Sequence, residues 1–75
     1  MNETVRIIVA RLPGKAVLVP ADIAAACGHS GTTGVLRAIQ CGEMEAVLMG
    51  GRYLVARAEA VRWIESCRYV AEEAR

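Results

Sequence analysis

Phenylalanine is absent from this chain, and one tryptophan and two tyrosines supply all its aromatic rings. A core with so few large rings must be built from aliphatic side chains and alanine, which suits closely apposed helices. Histidine occurs once, as His29. There is no Ser/His/Asp set, no phosphate-binding glycine loop and no carboxylate pair in an apolar setting, so catalysis has little to stand on and no cofactor is expected. The pairs Glu43/Glu45 and Glu72/Glu73 read as solvated surface. Cysteine is sparse and odd in number: Cys27, Cys41 and Cys67, with no CxxC pair. They read as reduced thiols, with Cys27 a buried structural residue at a helix end. A metal site would need Cys27, His29 and Cys41 to converge with a fourth ligand, and none is expected. No apolar run approaches the roughly 20 residues of a membrane helix. The N-terminus lacks the basic start, apolar run and small-residue site of a signal peptide, so the expected compartment is the cytoplasm. Charge of one sign is also lacking, since the formal net charge is +1. Any nucleic-acid reading must therefore rest on where the cations sit rather than on their sum.

What is present is apolar. The hydrophobic fraction of 55% argues against disorder, and 75 residues make one small domain over residues 1–75. In residues 2–12, Val5, Ile8, Val9 and Leu12 recur at helical spacing before Pro13-Gly14 stops the run. The β-branched content leaves a strand open there. Residues 15–19 are short and end β-branched, as a single strand pairing with a later ribbon would. Pro20 then suits the first turn of a helix, and Asp22 suits its positive end. Ile23, Ala26 and Cys27 form its buried stripe, and Gly28 ends it.

His29-Ser30-Gly31 makes a turn, and Ser30 or Thr32 caps the next helix, over residues 32–41. Val35, Leu36 and Ile39 point one way. Thr33, Gly34, Arg37, Gln40 and Cys41 point the other. Gly50-Gly51 between two apolar runs is a strong hairpin signal, because the favoured two-residue turns need positive φ. That turn pairs Met49 with Arg52, Leu48 with Tyr53 and Val47 with Leu54. Ala46, Leu48, Tyr53 and Val55 share one face; Val47, Met49, Arg52 and Leu54 share the other. Both faces are apolar near the base, so the second is expected to pack on the N-terminal segment or a second subunit. A long last helix is expected over residues 58–75. Ala60, Ile64, Cys67, Ala71 and Ala74 would form a dimer seam on it, and Trp63 would plug the domain's own core. Glu59/Arg62, Glu65/Arg68 and Arg68/Glu72 have the spacing of a pair-laced solvated face.

The run Leu18-Val19-Pro20-Ala21-Asp22-Ile23-Ala24-Ala25 resembles the opening of small excisionase and MerR-like winged helix-turn-helix domains. Gly28-His29-Ser30 is similar to their inter-helix turn, and Val35-Leu36-Arg37 with Ile39 to their second helix. Gly42-Glu43-Met44 with Ala46-Val47 looks like their entry to the wing. Gly51-Arg52-Tyr53, Val55 and Arg57 look like the wing, and Glu59 with Trp63-Ile64 like the helix after it. The likeness covers residues 18–64, and its motifs persuade by their order. The chain departs from it at Gly34, Glu45 and Leu48 and adds the N-terminal segment. The resemblance implies an α+β, mostly helical, winged helix-turn-helix with residues 17–57 as helix-turn-helix and wing. In that family the second helix enters the major groove and the wing arginine meets the backbone or minor groove, which implies Arg37 and Arg52 for those roles.

On this reading Thr32, Thr33, Arg37 and Gln40 face DNA from the helix, and Gly50, Gly51 and Arg52 from the wing. Lys15, Ser30 and Arg57 would add phosphate contacts. The expected function is duplex-DNA binding, as an excisionase-type recombination factor or as a phage- or mobile-element-type transcriptional regulator, homodimeric, with a recombinase or other protein as a further partner. The other class left open is a winged-helix module that has lost DNA and binds protein.

Overall fold

The computed structural model describes residues 3–67. Among them are four helices and a three-stranded antiparallel sheet, an α+β arrangement. The order is α1 (Glu3–Arg11), β1 (Val17–Leu18), α2 (Pro20–Ala26), α3 (Thr33–Gln40), β2 (Val47–Met49), β3 (Arg52–Ala56) and α4 (Arg57–Ser66). None of the described helices is long and apolar enough to cross a membrane.

Helix α1 resolves the ambiguity of the β-branched N-terminal segment. Its stripe is real: Val5 and Leu12 are buried, and Ile8 and Val9 pack against the same core. Pro20 takes the first turn of α2, as its missing N–H allows. The Asp22 carboxylate reaches back to accept from the Val19 N–H at 3.2 Å, giving one orphan donor of the helix start a partner. Both α2 and α3 end in the same way. His29 N–H donates to the Ala24 carbonyl, and Glu43 N–H to the Ala38 carbonyl, each at 2.9 Å. Gly28 and Gly42 supply the left-handed residue that closes such an ending.

The sheet order is β1-β3-β2. Val17 pairs with Ala56 and Leu18 with Val55, so the short strand does join the later ribbon. The hairpin has the register expected from sequence, with Met49 opposite Arg52. Gly50 and Gly51 both have positive φ, 61° and 82°, which is the requirement of a type I′ turn. Leu18, Ile23, Val35, Met44 and Val55 are the largest fully buried side chains, and Trp63 closes the core beside them.

Three expectations are corrected. The ribbon's second face is not covered by the N-terminal segment: Val47 and Met49 are 56% and 61% exposed. Helix α1 packs instead on α4 and α2. The dimer seam is also redirected. Ala60 and Ile64 are buried in the protein's own core, and Cys67 packs against it, because α4 needs that stripe to cover α1 and the sheet. Ala71 and Ala74, with the end of the helix expected over 58–75, lie outside the described residues. Third, Thr32 holds the N-cap position of α3, but its side chain makes no capping bond. Ser30, an exposed residue of the preceding loop, makes no side-chain hydrogen bond among the described residues.

Candidate nucleic-acid interface

Helix α3 buries Val35 and Ala38 and turns Thr33, Gly34, Arg37, Gln40 and Cys41 to solvent. The side that anchors it and the side that could touch a partner are thus separate, as an amphipathic helix requires. Ala38 is buried beside Val35 on the anchoring side. The second exposed element is the hairpin tip, Gly50-Gly51-Arg52. Neither the Arg37 nor the Arg52 guanidinium has a hydrogen-bond or ion-pair partner among the described residues. Thr33 and Gln40 share the open face with Arg37. Thr32 is half-buried at the helix start, and Ser30 is exposed just before it.

The other two cations expected at phosphates behave differently. Lys15 keeps a 60% exposed side chain but pairs with Asp22 at 3.3 Å. Arg57 turns inward. Its Nε donates to the Pro13 carbonyl at 3.2 Å and its Nη2 to that of Val9 at 3.5 Å. The guanidinium thus closes the C-terminal end of α1, where helix carbonyls lack partners. A cation there also suits the negative end of the helix dipole. Arg57 therefore fastens α1 to the start of α4 instead of standing free for phosphate.

Between the C-terminal end of α3 and the hairpin lies an open groove of about 480 Å³. Ile39, Met44, Val47 and Leu54 give it apolar walls, and among the described residues Glu45 and Glu59 are its only charges. It is not built for phosphate.

The residues that hold the hairpin in place were not legible as such. The Glu59 carboxylate accepts from the Glu45 N–H at 2.9 Å. It also accepts from Arg62 through Nε at 3.0 Å and Nη2 at 2.7 Å. Arg62 donates further to the Glu43 carbonyl at 2.8 Å, and Trp63 Nε1 to the Glu43 carboxylate at 3.4 Å. Only the Glu59/Arg62 spacing is visible in sequence; the reach across to residues 43 and 45 is long-range. This clasp ties the entry of β2 to α4, so it fixes the angle at which the hairpin leaves the body.

The same clasp has a pH signature. Hydrogen bonds from Arg62 first, then from the Glu45 backbone, lower the Glu59 pKa from the ordinary 4.5 to about 2. A carboxylate whose folded pKa is depressed adds stability above its unfolded pKa and loses it as pH falls through the folded one. The clasp is therefore expected to hold above pH 4.5 and to open as pH drops toward 2. Thermal melts from pH 6 to 2 test this: the wild type should lose stability more steeply below pH 4.5 than Glu59→Gln, and parallel curves would contradict it.

Burial pushes the Cys27 thiol up, against a smaller opposing pull from Arg11, and burial also raises Cys67. Raised thiols are poor nucleophiles and poor ligands. Cys27 is half-buried rather than fully enclosed. Among the described residues no group of three or more His, Cys, Asp or Glu side chains is placed to hold a metal. No protein-family model, no curated protein and no solved structure matches the chain.

Proposed function

We propose that this chain is a winged helix-turn-helix domain that binds duplex DNA, with α3 in the major groove and the β2–β3 hairpin as the wing. The observation that carries the reading is connectivity. Helix, strand, helix, helix and hairpin, with strand order β1-β3-β2, is the arrangement in which such domains present a helix and a ribbon together. Charge placement supports it despite the near-neutral sum. Asp22 and Glu59 are spent on Lys15 and Arg62, while Arg37 and Arg52 are left unpaired among the described residues. Arg37, Thr33 and Gln40 would meet base edges or phosphates, and Arg52 a phosphate or a narrow minor groove. DNA binding of this kind serves a recombination accessory factor or a small transcriptional regulator equally well. Selection from random duplex DNA tests the proposal: enrichment of a motif is expected, and no retained DNA at low salt would overturn it.

Gly34 offers a sharper check. A β-carbon there would meet only the His29 ring, at 3.7 Å, an ordinary contact. Gly34→Ala is therefore expected to stabilise the fold by about 0.5–1 kcal/mol, the usual helix gain over glycine. If the α3 backbone approaches DNA at Gly34, the same change should weaken DNA binding. Melting curves and titrations on one variant read both effects, and a gain in stability with unchanged affinity would place Gly34 away from the DNA.

A second reading, a protein-binding module, is favoured by one observation: β2 is apolar and more than half exposed along its length. An apolar protein contact changes little with salt, whereas phosphate neutralisation falls steeply.

A further inference from the structure

We propose that β2 is a pairing edge for a second copy of this chain, joined antiparallel about a two-fold axis at Leu48. Strand β2 is an outer strand of the sheet, bonded to β3 alone. Of the devices that protect an edge it has only shortness: Val47-Leu48-Met49 has no lysine, no proline and no bulge. All three side chains are more than half exposed, and they project to both faces.

The register follows from the hairpin. A two-residue turn makes the flanking pair, Met49 and Arg52, the hydrogen-bonded one, and bonded and non-bonded pairs alternate from there. The N–H and C=O of Leu48 therefore face away from β3. No bond outside the helices and strands takes them among the described residues. Two copies related at Leu48 would exchange these groups directly. Val47 would then lie opposite Met49 of the second copy, so apolar meets apolar on one face and Leu48 meets Leu48 on the other.

Charge agrees with this register. Glu45 of one copy would then lie just past the turn of the second copy, on the face that carries that copy's Arg52. Among the described residues the Arg52 guanidinium has no partner, and the Glu45 carboxylate has no hydrogen bond or ion pair, only the nearby charge of Arg62; both residues are exposed. The two-fold creates this contact twice, as an isologous interface must. A three-residue strand buries less than the roughly 1,200 Å² of a standard interface, so the pairing is weak and concentration-dependent.

Sedimentation from about 10 μM to about 1 mM, with amide exchange at Leu48, tests the proposal without DNA. Wild type should move from monomer to dimer over that range, and the Leu48 amide should gain protection as concentration rises. Leu48→Lys, at a position 62% exposed, should stay monomeric while keeping the wild-type far-UV spectrum. Glu45→Arg and Arg52→Glu should each weaken the dimer at least several-fold, and the double exchange should restore it. A wild type that stays monomeric to the top of the range overturns the proposal. So does Leu48 protection that is independent of concentration, which would mean that the chain covers its own edge. A dimer indifferent to Leu48→Lys would lie on another surface and also overturn it.

Discussion

Leu18→Ala is expected to lower folding stability by about 2–5 kcal/mol. Leu18 is the residue through which β1 enters the core: it is 0% exposed and pairs with Val55, itself fully buried. Its removal leaves a cavity between the sheet and the helices, and alanine cannot refill it. A domain this small has about 5–15 kcal/mol in hand at most, so the loss is a large share of the total. At roughly 4–8 °C per kcal/mol, Tm should fall by about 10 °C or more. Leu48→Ala is the matched control, the same chemistry at a 62% exposed site, and should stay within about 0.5 kcal/mol. Denaturant unfolding of both variants measures the difference. Equal effects would mean that the sheet is not seated as described.

Arg37→Ala is expected to cost about 1–3 kcal/mol of DNA affinity on the preferred site if Arg37 reads a base there. Arg52→Ala is expected to weaken binding more evenly across sequences, as a phosphate contact does. Both side chains are exposed and lack partners among the described residues, so neither variant should alter folding. For Arg37, loss of affinity with an unchanged melt therefore reports contact with DNA; for Arg52 it does so at protein concentrations where the wild type is monomeric. Competition titrations with preferred and scrambled duplexes separate the two roles. Equal affinity of both variants and wild type on every duplex would remove these residues from the interface.

The sequence made some of this legible because the signals were local. Pro20 and Gly28 bracket α2 as a start and a stop, and Gly50-Gly51 sets a hairpin register without help from the rest of the chain. The exposed side of α3 followed from its period alone. What failed was long-range. The 4, 3 spacing of Ala60, Ile64 and Cys67 fits a seam to a partner or a stripe on one's own core equally well, and α1 decides the matter. Arg57 looked like a free cation because its acceptors, the carbonyls of Val9 and Pro13, lie more than forty residues away. The Glu59–Arg62 pair was visible, but not its grip on the hairpin entry. For the proposed interface, sequence supplied the residue types, and the fold supplied the exposure of Arg37 and Arg52 and their lack of partners among the described residues.

The most direct test of the central proposal is fluorescence anisotropy of labelled duplex DNA, titrated at several salt concentrations. If Arg37 and Arg52 neutralise phosphates, affinity should fall with a log–log slope of about −2, and Arg52→Ala should make that slope shallower by about one unit. No binding at low salt on any duplex, or an affinity that ignores salt, would contradict the DNA reading and favour the protein-binding one.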